Sequence, residues 1–482
     1  MPTTLTIDPV TRIEGHLEIE VTVDLVGGQQ QVVDAKSAGT MFRGFEIILV
    51  GRDPRDAALY TQRICGVCPV SHAAAACLNL DAAFGVQPPD NGRILRNLVQ
   101  GANHLESNIL HFYHLSLLDY VNTTGMLDRA PWIPRYNTPD MIGGSTAATL
   151  IEHYVAALQI RRKTQQMGAL FGAKLPCVGS LVVGGCTEVV TSGKVAEFRR
   201  LLTELRSFVD NIYLADVNTL VGAFPNYYNL GVGYRNLLSF GAFDLDASGN
   251  NRLFPAGRYT DGQTGTVDPQ QIIEYVSHGW YTPASGGLNP AQGVTEPDPD
   301  KPGAYTWLKA PRYAGKAHEA GPLARMWIAN EYTRGVSALD RIVARALETK
   351  KIADAMDGWL DQLTPGAPSY APSTIPQQAT GIGLTEAPRG ALGHWMTITN
   401  GAISRYQVIT PTAWNASPRD DANQLGPIEA ALLGTPVTDV DQPIEVLRVV
   451  HTFDPCLACA VHMVRPGERQ SRPRIMVRQS PL

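Results

Sequence analysis

In this sequence of 482 residues, the residues whose type and spacing best suit them to chemistry are two Cys-x-x-Cys pairs, Cys65/Cys68 and Cys456/Cys459. A zinc knuckle places about 15–20 residues between two such pairs, because one small loop folds around one metal. Here the pairs stand near opposite ends of the chain, so the tertiary fold must bring them together in the core. Four thiolates there form a soft-ligand site for iron, nickel, copper or zinc. On the cysteines alone, a closed structural zinc site is the alternative.

The residues around each pair suit metal capture. Gly66 leaves the turn between Cys65 and Cys68 unobstructed, and Pro455 stiffens the approach to Cys456. A thiolate close to backbone N–H donors also ionises more readily. A disulfide framework is not expected, because the seven cysteines are an odd set and four of them have this spacing. The other three are interpreted as small buried hydrophobes: Cys77, Cys177 and Cys186.

Two charged residues are further candidates for chemistry. Glu14 lies where the pattern predicts a strand that enters the interior, and burial raises the pKa of a carboxyl group, which suits it to pass protons near neutral pH. A surface ion pair with Arg12 is the alternative for Glu14. Arg389 follows Pro388 in a segment of small residues, where the rigid fork of its guanidinium could be held over metals. An exposed salt bridge is the alternative for Arg389.

The elements that must position these residues are predicted from periodicity. Residues 17–25 alternate between apolar and mostly polar, which predicts a strand of an N-terminal sheet. Apolar residues that recur at spacings of three and four predict long helices at about 91–118, 146–171, 195–220 and 323–363. Between 224 and 322, Gly, Pro, Asp and Asn predominate, which indicates an irregular segment with short strands outside the bundle.

The predicted fold class is therefore α+β, with a large central bundle of long helices and small peripheral β-sheets. We expect one domain over residues 1–462. Its predicted parts are a sheet at about 1–50, a bundle at about 50–220 and 320–462, and an insert at about 224–322.

Composition narrows the function classes. A hydrophobic content of 44% and a charged content of 18% are those of an ordinary globular protein. The net charge of −5 argues against nucleic acid as a partner, because no basic stripe supplies the counterion-release contribution. No apolar run approaches the ~18 residues of a transmembrane helix. The N-terminus lacks the pattern of a secretory signal, so export is expected to depend on a partner.

The residues around both cysteine pairs resemble the two signature motifs of the nickel-iron hydrogenase large subunit, of the respiratory uptake type. These residues are RICGVCPVSH at 63–72 and DPCLACAVH at 454–462. Further matches follow in the same order along the chain: RIEGH at 12–16, RGFE at 43–46, HFYHL at 111–115, EAPRG at 386–390 and WNASPRD at 414–420. One Cys-x-x-Cys is weak evidence, but seven ordered motifs are specific.

The resemblance implies a Ni–Fe centre held by all four cysteines. Cys65 and Cys456 match terminal ligands of nickel, and Cys68 and Cys459 match the ligands that bridge nickel to iron. The iron of this family carries one carbon monoxide and two cyanides. The flanking motifs disfavour a structural zinc site, because such a site does not require a Glu or an Arg nearby in a defined motif.

Further roles follow from the resemblance. Glu14 matches the first proton relay from the Cys456 thiolate, and Arg389, after Pro388, matches an arginine that overhangs the open Ni–Fe position. Asp454 matches a carboxylate beside that arginine. The remaining matches are a donor to an iron-bound cyanide (Thr412), two magnesium ligands (Glu46 and His462), a backbone carbonyl at that magnesium (Val408) and a hydrogen-bond partner of the Cys68 sulfur (His72). Where many relatives have Asp in the helix before HFYHL, this chain has Ser107.

The implied function is that of the catalytic subunit, which cleaves H₂ heterolytically and forms it reversibly. Electrons are expected to leave through an iron-sulfur small subunit, because the chain has no further cysteine cluster for relays. A regulatory hydrogen sensor of the same fold is the alternative. A quinone-site subunit resembling the complex I relative of this fold is disfavoured, since that relative lacks the four cysteines.

The resemblance also implies partners and processing. The expected partners are the small subunit in a heterodimer or a dimer of heterodimers, a membrane cytochrome b, nickel-insertion factors and a maturation endopeptidase that cuts between His462 and Met463. The expected location is the periplasmic side, with membrane association through the small subunit; the cytoplasm is the alternative. Residues 463–482 contain five arginines and one glutamate, and we expect them to be weakly ordered and removed on maturation.

Overall fold

A computed structural model describes residues 2–460 and 474–479, and of 459, 460 and 474–479 it describes the backbone alone. Its helices are α1 Phe45–Ile48, α2 Ala57–Tyr60, α3 Pro69–Phe84, α4 Asp90–Leu110, α5 Gly144–Gly172, α6 Ser192–Phe208, α7 Leu214–Ala223, α8 Pro322–Ile328, α9 Ala338–Gln362, α10 Pro411–Asn415, α11 Pro427–Leu432, α12 Ile444–Thr452 and α13 Leu457–Ala460. Its strands are β1 Thr3–Asp8, β2 Leu17–Val26, β3 Gln29–Gly39, β4 Leu181–Val182, β5 Gly185–Cys186, β6 Leu237–Ser239, β7 Ala242–Asp244, β8 Arg252–Phe254, β9 Gly257–Thr260, β10 Gln263–Gly265, β11 Ile272–Tyr275, β12 Ala310–Tyr313, β13 Glu319–Ala320, β14 Gln378–Ala387, β15 Gly390–Thr399, β16 Ala402–Ile409 and β17 Arg474–Gln479.

The N-terminal sheet is antiparallel and has the strand order β17-β1-β2-β3. Strand β2 buries every second residue, beginning with Leu17, Ile19 and Val21, so the strand predicted from alternation is present. These side chains pack against α11 and α12 in a separate hydrophobic cluster. Strand β17, from the predicted C-terminal extension, pairs with β1, and the expected removal of this extension stays a prediction.

The largest hydrophobic core lies among the long helices α4, α5, α6 and α9. The predicted helix over 91–118 is α4 followed by a π-helical turn at His111–Ser116, and that over 195–220 is α6, a second π-helical turn and α7. The prediction of one helix over 323–363 is wrong, because 329–337 separates α8 from α9. Asn330 adopts φ 57° there, and Ser337 caps α9 by accepting a hydrogen bond from the Asp340 N–H.

Short strands and irregular loops make up residues 224–322, as their composition predicts. Four of these strands form a sheet of order β10-β9-β6-β13. The fold class is α+β, as predicted, and the protein joins a helical bundle to several small sheets.

One antiparallel sheet, β14-β15-β16, lies within 320–462, where the sequence predicts only helices. It packs closely on α3 through two glycines of β14. A Cβ at Gly381 would lie 2.2 Å from the Asn79 carbonyl oxygen, and one at Gly383 would lie 2.1 Å from that of Ala75. Strand β14 therefore lies directly against α3, the helix that begins after Cys68.

No helix in the described part of the chain has both the length and the apolar character needed to cross a membrane.

Candidate metal centre

Three of the four predicted cysteines meet in the core. Cys65 follows a 3₁₀ turn over Thr61–Ile64, Cys68 is the residue before α3, and Cys456 precedes α13. Their sulfur atoms lie within 4.8 Å of one another, and those of Cys65 and Cys456 are 3.2 Å apart. All three are at most 2% exposed. The side chain of Cys459 lies outside the described residues.

Backbone donors surround the first sulfur. The N–H groups of Val67 and Cys68 donate to the Cys65 Sγ over 3.3 and 3.2 Å. Hydrogen bonds to a sulfur favour its charged form, so Cys65 is prepared to bind as a thiolate. The N–H of Cys456 donates instead to the Thr412 hydroxyl oxygen over 2.9 Å. Thr412 therefore lies at the centre, and its role towards a cyanide remains a prediction.

A backbone bridge joins the N-terminal loop to the second cysteine pair. Glu14 and Cys456 form an isolated parallel β-bridge, in which the Leu457 N–H donates to the Glu14 carbonyl oxygen over 2.6 Å. The next residue, Gly15, has φ +89°, and a Cβ there would lie 2.2 Å from the Ala458 nitrogen. Only glycine permits this close approach, so Gly15 helps to place Glu14 beside the sulfurs.

The side chain of Glu14 is half-buried and its Oε1 accepts a hydrogen bond of 3.4 Å from the Gly66 N–H. Burial raises the pKa of Glu14, and the negative charge of Cys65 raises it further, against smaller opposing effects of Gly66 and Arg389. The alternative pairing with Arg12 does not occur, because Arg12 forms its ion pair with Asp119.

Arg43, which sequence analysis assigned to a motif but gave no role, connects the two cysteine segments. Its Nη1 donates to the Arg63 carbonyl oxygen over 2.9 Å, and its Nη2 donates to the carbonyl oxygens of Ile64 and Ala458. Since Ile64 precedes Cys65 and Ala458 belongs to α13, this guanidinium ties both ends of the chain together at the sulfurs.

Arg389 lies in the two-residue turn between β14 and β15 and is 1% exposed, so the alternative of an exposed salt bridge is wrong. Its Nε donates to the Asp454 carbonyl oxygen over 3.0 Å, and its Nη1 donates to the Ser107 hydroxyl over 3.2 Å. Its Nη2 is 2.9 Å from Oδ1 of Asp454, an ion pair whose angle is poor for a hydrogen bond. Burial opposes the charge of Arg389, but Asp454 and the thiolates of the site outweigh it and raise its pKa.

A second arginine, absent from the sequence predictions, holds that turn. Arg325 donates to the carbonyl oxygens of Ala387 and Pro388 over 2.9 and 2.8 Å. It also forms buried ion pairs with Glu348 at 2.7 Å and Glu386 at 2.6 Å. The hydrogen-bond and ion-pair partners of Arg325 are distant in sequence, so no local sequence pattern predicts these contacts.

The predicted magnesium region centres on Glu46 in α1. Its Oε1 accepts a hydrogen bond from the Val408 N–H over 2.9 Å, and its Oε2 accepts one from the Thr295 hydroxyl. Glu46, Val408 and Thr295 line a cavity of about 40 Å³, which has room for a few waters. Glu274 and Lys309 also line this cavity. Burial raises the pKa of Glu274 to about 7. The other expected ligand, His462, and the cleavage position at Met463 lie outside the described residues.

His72 does not make the hydrogen bond to Cys68 that the sequence predicts. Its Nδ1 lies 3.2 Å from Nε2 of His394, and its own Nε2 is buried without a hydrogen-bond partner among the described residues. Burial lowers the pKa of His72 to about 4, so the ring is neutral. A buried N–H or lone pair without a partner is costly, which fits a site completed by a further group.

The donor set therefore fits a soft metal. Three buried sulfurs, one of them hydrogen-bonded by amides, offer ligands that iron, nickel, copper and zinc accept. Of the three remaining cysteines, Cys77 and Cys186 are buried as interpreted, whereas Cys177 is half-buried.

Comparisons with known proteins agree along the whole chain. A family model described as nickel-dependent hydrogenase matches residues 43–133, 128–335 and 330–462, and one described as HoxL-like matches 4–37. The large subunit of the periplasmic [NiFeSe] hydrogenase of Desulfomicrobium baculatum is 45% identical, with 95% of each chain covered. An uptake hydrogenase large subunit of Rhizobium leguminosarum bv. viciae is 32% identical over 98% of this chain and 97% of its own.

Solved structures give the same result. The reduced Ni-Fe-Se hydrogenase of D. vulgaris Hildenborough superposes with a TM-score of 0.92 at 43% identity, covering 96% of this chain and 100% of that one. Its description and that of the D. baculatum relative include selenium, whereas this chain has cysteine at 65, 68, 456 and 459.

Proposed function

This chain belongs to the nickel-dependent hydrogenase family as a catalytic large subunit, and we propose that Cys65, Cys68, Cys456 and Cys459 hold its Ni–Fe centre, where H₂ is cleaved heterolytically. The observation that carries the proposal is the convergence of three buried sulfurs from opposite ends of the chain. A thiolate set of this kind is soft enough for nickel and iron. When bound, the centre polarises H₂ and accepts its electrons.

We propose that Cys65 and Cys456 would hold nickel, that Cys68 and Cys459 would hold nickel and iron together, and that the iron would carry one carbon monoxide and two cyanides. The short Cys65–Cys456 sulfur distance of 3.2 Å supports placing these two on a shared metal. The two amide N–H groups that donate to the Cys65 sulfur favour the thiolate that a metal requires.

Glu14 is the proposed acceptor of the proton that H₂ cleavage leaves on the Cys456 sulfur. Its main chain pairs with that of Cys456, so the carboxyl group is tied to the ligand that it serves. Because burial raises the pKa of Glu14, it can take up and release a proton closer to neutral pH than an exposed carboxylate can.

Arg389 is the proposed fixed cation over the reacting position. Asp454 and Ser107 accept hydrogen bonds from two of its nitrogens, Asp454 also forms an ion pair with the third, and Arg325 holds the turn that carries it. A preorganised guanidinium in a buried site stabilises developing negative charge without reorganising during the reaction. It also occupies volume that water would otherwise fill.

Glu46 and His462 are the proposed side-chain ligands of magnesium. The small cavity beside Glu46 is lined mainly by apolar residues, but the carboxylates of Glu46 and Glu274 and the Thr295 hydroxyl offer the oxygen ligands that Mg²⁺ prefers, and there is room for waters that Mg²⁺ retains. The carbonyl oxygen of Val408 is the proposed third protein ligand.

A hydrogenase large subunit pairs with a small subunit, and we propose that its iron-sulfur clusters take the electrons. We further propose maturation by nickel-insertion factors and by an endopeptidase that cuts after His462, location on the periplasmic side, and coupling to a membrane cytochrome b. The periplasmic and uptake relatives support this location.

The test is to purify the chain with its small subunit and to replace each of the four cysteines by serine in turn. A hydroxyl is a hard and reluctantly ionised ligand, so each variant should lose nickel and H₂ oxidation. Cys186→Ser is the matched control, because Cys186 is equally buried and lies outside the sulfur cluster. Normal nickel content in any of the four variants would contradict the assignment of that cysteine.

A further inference from the structure

A chain of buried hydrogen bonds leads away from His72 along the sheet β14-β15-β16 to its edge strand β16. Nδ1 of His72 lies 3.2 Å from Nε2 of His394 on β15, and Nδ1 of His394 lies 2.8 Å from the hydroxyl of Tyr406 on β16. The three side chains are at most 1% exposed. Bulk water therefore does not satisfy any of their polar atoms.

Both imidazoles are neutral, because burial lowers the pKa of His72 to about 4 and lowers that of His394 well below its usual value. Each ring then has one N–H donor and one acceptor nitrogen. The three groups can consequently be hydrogen-bonded in two ways. Either every donor points from Tyr406 towards His72, or every donor points from His72 towards Tyr406.

The phenol end favours the first direction. Tyr406 has no hydrogen-bond partner other than His394 within the described residues, and burial keeps it protonated by raising its pKa. If its oxygen accepted from His394, its own O–H would be buried without an acceptor, which is unfavourable. When Tyr406 donates, that cost disappears.

The metal end favours the same direction. When Tyr406 is the donor, Nε2 of His394 donates to Nδ1 of His72. The proton of His72 then lies on its own Nε2, and this atom has no hydrogen-bond partner among the described residues. The largest charge effect on this ring is that of the negative Cys65, which outweighs the opposing effect of Arg43. A donor is stabilised beside thiolates, whereas a lone pair would be repelled by them.

We propose that Tyr406 and His394 are positioning residues that fix the proton of His72 on Nε2. The hydrogen bond that the family resemblance already implies for His72 is then donated from this nitrogen to an anionic acceptor of the assembled Ni–Fe centre. This inference rests on the proposed function, which supplies the thiolates and iron ligands. A hydrogen bond to such an acceptor reduces the charge that it donates to the metals. The phenol thus tunes the centre without touching it.

The test is the infrared spectrum of the purified complex carrying Tyr406→Phe, which removes the hydroxyl and retains the ring. With the proton no longer fixed on Nε2, the acceptor donates more charge, so the bands of iron-bound carbon monoxide and cyanide should shift to lower wavenumber at normal nickel and iron content. Tyr120→Phe is the matched control, because Tyr120 is fully buried and its hydroxyl makes no hydrogen bond within the described residues. Its bands should stay at the wild-type positions.

Unchanged bands in the metal-loaded Tyr406→Phe complex would overturn the inference. Absence of these bands from the wild-type enzyme would instead overturn the proposed function, so the two failures are distinguishable. If Tyr406→Phe assembles no centre, the tautomer decides: ¹⁵N shifts of histidine-labelled wild-type protein should show His72 protonated on Nε2. Protonation on Nδ1 would refute the inference.

Discussion

Replacing Glu14 by glutamine tests the proton route with little change in shape. The amide has nearly the volume of the carboxyl group, and its oxygen can still accept from the Gly66 N–H, a bond of 3.4 Å that contributes little to stability. The β-bridge to Cys456 uses the backbone and is unaffected. Nickel and iron should therefore bind as in the wild type.

The rate should fall sharply, because an amide cannot take up the proton that leaves the Cys456 sulfur. A positioned general base typically contributes about 10²–10⁴-fold, so we expect H₂ oxidation and H/D exchange to drop by about that factor. Since the raised pKa of Glu14 means that its ionisation opposes folding, the variant should be no less stable than the wild type at neutral pH.

The assay is H₂ oxidation with an artificial electron acceptor, normalised to nickel content, together with H/D exchange by mass spectrometry. Glu18→Gln is the matched control, because Glu18 on β2 is also half-buried and burial also raises its pKa, yet it has no contact with the sulfurs. That control should keep wild-type turnover. A metal-loaded Glu14→Gln enzyme within about twofold of the wild type would refute the route through Glu14.

Three other substitutions test the scaffold. Arg389→Lys should retain both metals but lower turnover by about 10²–10³-fold in the same assay, because an ammonium group cannot reproduce the fork held by Asp454; an unchanged rate would make Arg389 structural. Arg325→Met should destabilise the chain by about 3–5 kcal/mol in urea unfolding, since it leaves two buried carboxylates unpaired. Gly15→Ala should cost at least about 1–3 kcal/mol and reduce nickel retention, because its Cβ would strike the Ala458 backbone; full nickel retention would contradict the bridge.

The parts of the fold that sequence predicted are those with a clear period. Strand β2 buries alternate residues, and the long helices bury one face, so each has a local pattern that matches its packing. Strand β15 buries eight of its ten residues, which removes the alternation. A turn signal was nevertheless present, because Asn400-Gly401 joins β15 to β16 with φ 54° and 73°.

The break between α8 and α9 had a signal too. Ser337 followed three residues later by Asp340 is a helix-start pattern, and the structure shows the corresponding cap. The apolar spacing continues across the break, which made one long helix look consistent.

At the site, motifs pointed to Glu14, Arg389 and the three cysteines whose sulfurs meet in the structure, but not to the groups that hold them. Arg43 donates to Ala458, which is 415 residues away, and Arg325 donates to carbonyl oxygens about 60 residues away. Every residue type has a backbone carbonyl oxygen, so the sequence does not show which residue will accept such a hydrogen bond. The contact of His72 with His394 joins two side chains, but the residues lie 322 apart in sequence, so no local pattern connects them.

Anomalous diffraction from crystals of the complex, recorded at the nickel, iron and zinc absorption edges, tests the proposed metal centre most directly. We predict a nickel peak within bonding distance of the sulfurs of Cys65 and Cys456, and an iron peak beside it that is shared with Cys68. A single zinc peak at these sulfurs, with no signal at the nickel edge, would contradict the proposed chemistry.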